Sequence, residues 1–196
     1  MIKRNFREML DDRKGLLDAD RYERIIEIIA RIITTTFIDD HKVLWFGNGG
    51  SAADAQHLAA EFSGRFLRER RPLYSEALSV NSSAVTAIAN DYGYEHIFER
   101  QIEAFVKSGD VVIGITTSGN SLNVVLGLKM AKKCGATVIA FTGNGGGQVA
   151  EIADISLIGP NGYSALVQEV HITLGHIICD LVEQSVMEND VKNNAQ

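Results

Sequence analysis

A histidine and a glutamate stand four residues apart in a segment whose apolar residues have helical spacing. His57 and Glu61 lie within residues 52–62, where alanine, leucine and phenylalanine recur at the period of a helix. Residues four apart share one helical face and are separated by about 6 Å along the axis. An imidazole and a carboxylate on one face can bind the same divalent ion. The sequence therefore predicts that this helix contributes to a metal site.

Glycines and a serine precede the same helix. The sequence GNGGS, residues 47–51, follows the apolar run 43–46, which is typical of a buried parallel strand. We expect Ser51 to be the N-cap of the helix. A strand that enters a helix through such a turn leaves unpaired N–H groups at the helix start, where anions bind. Phosphate chemistry and metal chemistry are thus predicted on one element.

A second turn, between another apolar run and another predicted helix, is rich in hydroxyl groups. It has the sequence TTSGNS, with hydroxyls at Thr116, Thr117, Ser118 and Ser121. Hydroxyls and helix-start amides together suit the oxygens of a phosphate monoester. A simple serine/threonine turn with a helix cap is the alternative, but four hydroxyls exceed what capping requires. The absence of a Walker A lysine here, and of G-x-G-x-x-G after the first strand, disfavours nucleotide binding.

The elements that carry these turns alternate between strands and helices. Apolar runs predict strands over residues 43–46, 76–80, 110–115, 136–141 and 155–158, with helices between them. We therefore expect an α/β fold with a doubly wound, five-stranded parallel sheet flanked by helices, whose ligands bind at the carboxyl ends of the strands. A long helix over residues 162–186 follows. The whole chain, 1–196, is expected to be one domain with an α/β core over 41–188 and a frayed tail over 189–196.

The segment before the first strand, residues 1–40, contains more helix than a small sheet needs. Helices are predicted there over residues 2–15 and 18–37. The second carries an isoleucine stripe, formed by Ile25, Ile26, Ile28, Ile29, Ile32 and Ile33. We expect the stripe to pack against another subunit in a helical bundle, and packing on the chain's own sheet is the alternative.

The overall composition is that of a globular chain with an acidic balance. Of its 196 residues 45% are hydrophobic and 22% charged, which fits one domain. A net charge of −6 argues against nucleic acid as the main partner. No apolar stretch approaches a bilayer span, and the N-terminus lacks an apolar signal core, so we expect no membrane contact and a cytoplasmic location. The isolated Cys134 and Cys179 are expected to be reduced thiols.

Four stretches together resemble the sugar-isomerase (SIS) domain family and, within it, the phosphoheptose isomerases. They are GNGGSAADAQHLAAEFSGR from residue 47, AIANDYGYEHIFERQ from residue 87, TTSGNS from residue 116 and QEVHITLGH from residue 168. TTSGNS alone is typical of any SIS fold. Its combination with the set His57, Glu61, Gln168 and His176 is much more specific, and the resemblance extends over residues 42–183.

The resemblance implies an aldose–ketose isomerase that converts sedoheptulose 7-phosphate to D-glycero-D-manno-heptose 7-phosphate, the first step of ADP- or GDP-heptose biosynthesis for lipopolysaccharide. It implies one Zn²⁺ per subunit, bound by His57, Glu61, Gln168 and His176. Implied substrate contacts are Asn48, Gly49, Gly50, Glu61, Asn90, Asp91 and Gln168, and implied phosphate contacts are Ser51, Thr116, Thr117, Ser118 and Ser121. Arg65 is implied to reach a neighbouring subunit's site, in a homotetramer with sites at subunit interfaces.

Isomerisation of a ketose to an aldose moves a proton between C1 and C2 through an enediol, and this requires a base and an acid. We expect Glu61 to be the base and His176 the acid, with zinc near His57 polarising the sugar oxygens. A carboxylate bound tightly to zinc is a poor base. Glu61 is therefore expected to be weakly coordinated when it acts.

Two features do not follow simply from the resemblance. Gln168 and His176 are eight residues apart, roughly 12 Å of helical rise, which is near the limit for sharing one ion. Either Gln168 lies at an irregular helix start or the site is assembled across subunits. Ala165 and Leu166 stand where some members have an acid and an arginine, which leaves the substrate choice open and makes Asp91 a candidate for the acid's role. The nearby His171 is expected to be structural.

Three other functions are compatible with the sequence. One is a non-catalytic SIS adaptor resembling the replication initiator-associating protein. Its pattern lacks the second helical histidine, so the presence of both Glu61 and His176 favours the enzyme. A phosphosugar-sensing regulatory domain is another, although no DNA-binding segment is attached. The third is an isomerase of a different sugar phosphate, such as a hexose or pentose phosphate.

Overall fold

The computed structural model of the chain describes residue 11 and residues 13–194. In this part of the chain strands and helices alternate, as the sequence predicts. The bounds in chain order are α1 (Ala19–Ile38), β1 (Val43–Gly47), α2 (Gly50–Ser63), β2 (Ser75–Ala77), α3 (Ser82–Tyr92), α4 (Glu99–Phe105), β3 (Val111–Thr116), α5 (Leu122–Lys133), β4 (Thr137–Thr142), α6 (Gly147–Ile152), β5 (Ile155–Ile158) and α7 (Ser164–Asn194). A 3-10 turn, Tyr94–His96, lies between α3 and α4.

The five strands form one parallel sheet in the order β2-β1-β3-β4-β5. Val43 pairs with Val111, and Val111 pairs in turn with Thr137. The chain moves outward from β1 to β2 and then crosses back to β3, so the direction of winding reverses between β1 and β3. Ligands of doubly wound sheets bind outside the carboxyl ends of the strands at such a reversal. The predicted fold is confirmed, and the GNGGS and TTSGNS turns both lie at this position.

Alternate residues of the strands face two separate hydrophobic cores. Trp45 and Ile113 belong to the core covered by α1, α2 and α7. Phe46 and Val112, which adjoin Trp45 and Ile113 in the chain, belong to the core covered by α4, α5 and α6. A sheet buried on both faces needs apolar residues at every position, which explains why its central strands are continuous apolar runs.

Helix α1 packs mainly within its own chain. Asp18 is its N-cap and accepts a hydrogen bond from the Asp20 amide. Ile26, Ile29 and Ile33 are buried against α7 and the sheet. The buried part of the isoleucine stripe therefore needs no second subunit, in agreement with the alternative above. The helix predicted over residues 2–15 lies mostly outside the described residues.

Helix α7 is longer than the sequence pattern indicates. It has 31 residues and continues to Asn194, whereas we predicted an end near residue 186 and a frayed tail from residue 189. Asp190 explains part of the difference, because its carboxylate accepts a hydrogen bond of 3.1 Å from Arg71 Nε. Contrary to expectation, this one helix is long and apolar enough to span a bilayer, but half of its most apolar window is buried within the protein. It is the central helix of the first core.

Smaller differences concern element boundaries. Strand β2 covers three residues instead of the five predicted over 76–80. Helix α3 continues through Asn90 and Asp91, and its N-cap is Asn81, whose side chain accepts a hydrogen bond from the Ala84 amide. Helix α6 was not predicted, because it starts within a run of glycines. Cys134 and Cys179 are free thiols, as expected.

Candidate active site

Helices α2 and α7 lie side by side and run in the same direction. Residues further along α2 contact residues further along α7. Near the start Gln168 Nε2 lies 3.4 Å from Ser51 Oγ, and further along an added Cβ at Gly175 would lie 2.7 Å from Leu58. The parallel arrangement brings a histidine of each helix to the same level.

The two histidines and one glutamate form a compact cluster at this level. The Nε2 atoms of His57 and His176 are 2.8 Å apart. Glu61 Oε1 lies 3.3 Å from His57 Nε2. One ligand atom from each of the three residues can be chosen so that all lie within 4.8 Å of one another. Three of the four predicted metal ligands are therefore together in a single chain, and they form a candidate metal site.

Gln168, the fourth predicted ligand, contacts the start of α2. Its amide group is packed on the backbone of Gly50, where an added Cβ would lie 2.6 Å from Nε2. Only glycine permits this close approach. Gln168 belongs to the continuous helix α7, which begins at Ser164, so an irregular helix start does not account for its place in the ligand set.

The turn after β1 differs from the sequence prediction in its cap. Gly49, with φ 55°, is the N-cap of α2, and Ser51 lies inside the first turn. Ser51 is buried and its hydroxyl faces Gln168, a tertiary contact that the local pattern does not reveal. Asn48 is held by two residues that sequence reasoning missed. Its amide exchanges hydrogen bonds of 2.8 and 2.9 Å with Asn123, and its Oδ1 accepts a 2.9 Å hydrogen bond from Tyr94.

The TTSGNS turn gathers its hydroxyl groups at the start of α5. Thr116 Oγ1 lies 3.0 Å from Ser121 Oγ and 3.4 Å from Ser118 Oγ. Ser121 is the N-cap of α5, but its hydroxyl does not accept from the helix amides. The first-turn amides of α5 thus have no side-chain cap, and three hydroxyls lie beside them. This combination is suited to an anion.

A neighbouring loop packs against the TTSGNS turn. Gly119 has φ +70°, and an added Cβ there would lie 2.1 Å from the carbonyl oxygen of Gly146. Asn144 Nδ2 donates to the carbonyl of Thr117. Thr117 Oγ1 also donates to the Ser164 hydroxyl at 3.1 Å, so the turn contacts the start of α7. The sequence gives no local signal for Ser164.

Three predicted substrate residues lie apart from these contacts. Asn90 donates a 2.8 Å hydrogen bond to Asp91, and both side chains are exposed. Arg65 is exposed and forms no ion pair or hydrogen bond with the described part of the chain. Leu166 is buried, at 8% exposure.

Two titratable groups near the site have shifted pKa values. Burial raises the pKa of Asp54 to about 6, although His57 acts in the opposite direction, and the Asp54 Oδ2 atom has no partner among the described residues. Burial lowers the pKa of His171 to about 4. His171 Nε2 lies 2.9 Å from the Thr142 carbonyl, so it carries the proton and donates, and the imidazole is neutral at pH 7. His171 is fully buried in the core, as expected of a structural residue.

The fold and site are those of a SIS domain, and a family model described as "SIS domain" matches residues 16–143. The phosphoheptose isomerase of Aquifex aeolicus is 54% identical over 187 residues, 95% of this chain and 97% of the relative. That of Clostridium acetobutylicum is 45% identical over 190 residues, 97% of each chain. The structure of the Neisseria gonorrhoeae phosphoheptose isomerase superposes with a TM-score of 0.83 at 39% identity, covering 91% of this chain and 95% of that one. The chain therefore belongs to the phosphoheptose isomerase family of sugar-phosphate isomerases.

Proposed function

We propose that the protein converts sedoheptulose 7-phosphate to D-glycero-D-manno-heptose 7-phosphate with one zinc ion per subunit. The substrate is inferred from relatives called phosphoheptose isomerases at 54% and 45% identity. The chemistry is inferred from a single observation. His57, Glu61 and His176, which lie on two neighbouring helices, come close together in one cluster. A non-catalytic adaptor would not need this cluster beside a phosphate-type turn.

In this proposal the phosphate group binds at the TTSGNS turn. The hydroxyls of Thr116, Ser118 and Ser121 donate to its oxygens, and the α5 amides stabilise its charge. Ser51 and Thr117 belong to the same pair of turns, and Gly49 and Gly50 allow the sugar to approach the backbone. Asn48, which is held by Asn123 and Tyr94, presents a fixed amide to the sugar hydroxyls.

Proton transfer is assigned to Glu61 and His176. Glu61 removes the proton from C1 of the ketose, and His176 donates a proton to the carbonyl oxygen at C2, which gives the enediol. Glu61 then returns its proton to C2 while His176 takes back the proton of the C1 hydroxyl, which gives the aldose. Only Nδ1 of His176 can carry this proton when Nε2 binds the metal. Glu61 has two carboxylate oxygens, so one can face the metal while the other acts as the base.

The donor set of the cluster fits zinc. Two ligand atoms bound at about 2.0–2.1 Å to one tetrahedral zinc ion are separated by roughly 3.4 Å. The Glu61 Oε1 to His57 Nε2 distance of 3.3 Å is close to this value. His57 Nε2 and His176 Nε2, at 2.8 Å, would separate slightly to share the ion. When bound, zinc would polarise the oxygens at C1 and C2 of the sugar.

We also propose a homotetramer with sites at subunit interfaces, as the family resemblance implies. Gln168 contacts Ser51 within its own chain, while Arg65 is exposed and available to a neighbouring subunit. A groove of about 370 Å³ between α1 and α7 is a surface that another copy would cover. Most of its lining is apolar, including Leu17, Ile26, Leu174, Ile177 and Leu181, and Asp18, Glu23 and Glu27 also line it. We place Asn90 and Asp91 at the sugar, and the enzyme in the cytoplasm at the first step of ADP- or GDP-heptose formation.

A coupled assay across ketose phosphates of five, six and seven carbons tests the proposal. We expect turnover with sedoheptulose 7-phosphate to exceed that with the shorter sugars by at least about tenfold. Preference for a hexulose or pentulose phosphate would instead identify an isomerase of another sugar. Absence of turnover with every sugar, together with absence of bound zinc in the purified protein, would support the adaptor.

A further inference from the structure

Helix α7 contains a buried carboxylate two turns beyond His176. The side chain of Glu183 is fully buried, at 0% exposure. Its oxygens accept hydrogen bonds from three consecutive backbone amides, those of Phe66, Leu67 and Arg68, at 2.9, 2.9 and 2.8 Å. These amides belong to the segment 64–71, which follows α2. Glu183 therefore fixes the backbone of that segment to α7.

Hydrogen bonds and an opposite charge offset the free-energy cost of burying the Glu183 carboxylate. A buried carboxylate is unfavourable unless hydrogen bonds and an opposite charge compensate it. Arg70 Nε lies 3.3 Å from Glu183 Oε1, and the Arg70 side chain is also almost fully buried. Burial alone would raise the pKa of Glu183, but the three amides and Arg70 outweigh it, so its pKa is lowered. The carboxylate is thus ionised in the folded protein.

Arg70 extends this connection to the end of α2. Its guanidinium donates to the carbonyl oxygens of Glu61 at 2.7 Å and of Phe62 at 2.9 Å. The last carbonyls of a helix have no partner within the helix, so Arg70 supplies what the end of α2 lacks. Glu183 and Arg70 therefore join the two helices that carry the histidine–glutamate cluster.

The segment that Glu183 fixes contacts the cluster through an aromatic ring. The Phe66 ring is stacked on the His176 imidazole, with centroids 5.5 Å apart and planes 22° apart. The His57 ring packs edge-on against the same imidazole at 5.0 Å. His176 thus has its orientation set by Phe66, whose backbone amide is bound by Glu183.

We propose that Glu183 is a positioning residue for the isomerisation. It binds the 66–68 backbone and, through Phe66, holds the His176 imidazole in the orientation that aims Nε2 at His57. This inference rests on the proposed function, because it assumes that His176 acts as a metal ligand and acid. A purely structural role would affect stability only, and would leave His176 and the metal affinity of the folded protein unchanged.

The test compares Glu183→Gln with Asp190→Asn, a matched control on the same helix. Asp190 also pairs with an arginine of the segment after α2, but it binds none of the three amides. A glutamine has nearly the same shape, yet its NH₂ group cannot accept a hydrogen bond. We expect Glu183→Gln to weaken zinc binding about 10- to 100-fold and to lower kcat about tenfold with KM within about twofold. Asp190→Asn should match the wild type in all three measurements.

A spectroscopic measurement separates this inference from the proposed function. In metal-free protein labelled at histidine Cε1, the Phe66 ring should shift the His176 resonance, and both Phe66→Leu and Glu183→Gln should remove that shift. This outcome does not depend on turnover or zinc. The effects of the two substitutions on zinc affinity should also be non-additive in the double variant.

A wild-type His176 resonance and wild-type zinc affinity in folded Glu183→Gln would overturn the inference, even in an active isomerase. If Glu183→Gln does not fold, Phe66→Leu decides: unchanged zinc affinity and kcat in that variant would overturn the inference equally. Absence of turnover in the wild type would count against the proposed function alone.

Discussion

The Nε2 atoms of His57 and His176 lie 2.8 Å apart, although the two residues are 119 positions apart in the chain. Each nitrogen can act as a metal ligand when it carries no proton. The fold thus brings two possible ligand atoms from distant parts of the chain to one place, as a shared metal ion requires.

His176→Ala should remove most of the metal affinity. The variant loses one of three ligands that converge within 4.8 Å, and it leaves His57 with only Glu61 beside it. We expect the zinc dissociation constant, measured by competition with a chelator, to rise by at least about 100-fold.

His96→Ala is the control for that experiment. His96 contacts Glu99 at 2.6 Å, away from the cluster, so its removal should leave zinc binding unchanged. Equal zinc affinity in both variants would exclude His176 from the metal site.

Gly119→Ala should impair substrate binding and fold stability more than Gly145→Ala, a glycine replacement in the neighbouring loop. Gly119 and Gly145 both have positive φ, +70° and +81°, so each substitution costs about 1–2 kcal/mol of backbone strain. Only at Gly119 does the added Cβ meet another backbone, 2.1 Å from the Gly146 oxygen, whereas Gly145 faces open space. We expect Gly119→Ala to raise KM at least about tenfold and to destabilise the fold beyond Gly145→Ala in urea unfolding.

Similar KM values and similar free energies of unfolding for the two glycine variants would contradict this account of the turn. They would mean that the Gly119–Gly146 contact relaxes freely and does not shape the binding site.

His171 should make the metal-free protein less stable as the pH falls from about 6.5 to about 4. Burial lowers the pKa of His171 from 6.5 to about 4, so the unfolded chain binds more protons in this range. The stability due to neutral His171 is complete above pH 6.5 and is lost on acidification, by up to about 3 kcal/mol. His171→Gln keeps a donor for Thr142 but does not titrate, so its stability should fall less steeply.

Urea unfolding at several pH values, with a chelator present, measures this difference. Asp54, whose pKa is raised to about 6, contributes with the opposite sign, but it is present in both proteins and cancels in the comparison. If the free energies of unfolding of the wild type and His171→Gln change equally with pH, the account of His171 as a buried, neutral imidazole is wrong.

The strands and the two binding turns could be predicted from the sequence, because a local pattern of residues marks each of them. The apolar runs after Lys42 and Asp110 form central strands, and β5 covers residues 155–158, as predicted. The parallel sheet also follows, because continuous apolar strands that alternate with helices are typical of a sheet buried on both faces. The resemblance to SIS proteins identified the histidine–glutamate set that the structure brings together.

What the sequence could not predict depends on contacts between distant residues. Ser51 is not the N-cap of α2, because its hydroxyl faces Gln168 on another helix. The polar end of α7 remains helical while Arg71 binds Asp190. Asn123, Tyr94 and Ser164 enter the site through hydrogen bonds to residues far along the chain, and no local pattern marks them.

The most direct test of the central claim is the turnover of sedoheptulose 7-phosphate by Glu61→Gln, measured beside the wild type at equal and verified zinc content. If Glu61 is the base, kcat should fall about 10²- to 10⁴-fold, while calorimetry should show unchanged affinity for an unreactive phosphate ester. Glu103→Gln, an exposed substitution on α4, should behave as the wild type. Unimpaired turnover in zinc-loaded Glu61→Gln would show that Glu61 does not move the proton, and the proposed mechanism would then be wrong.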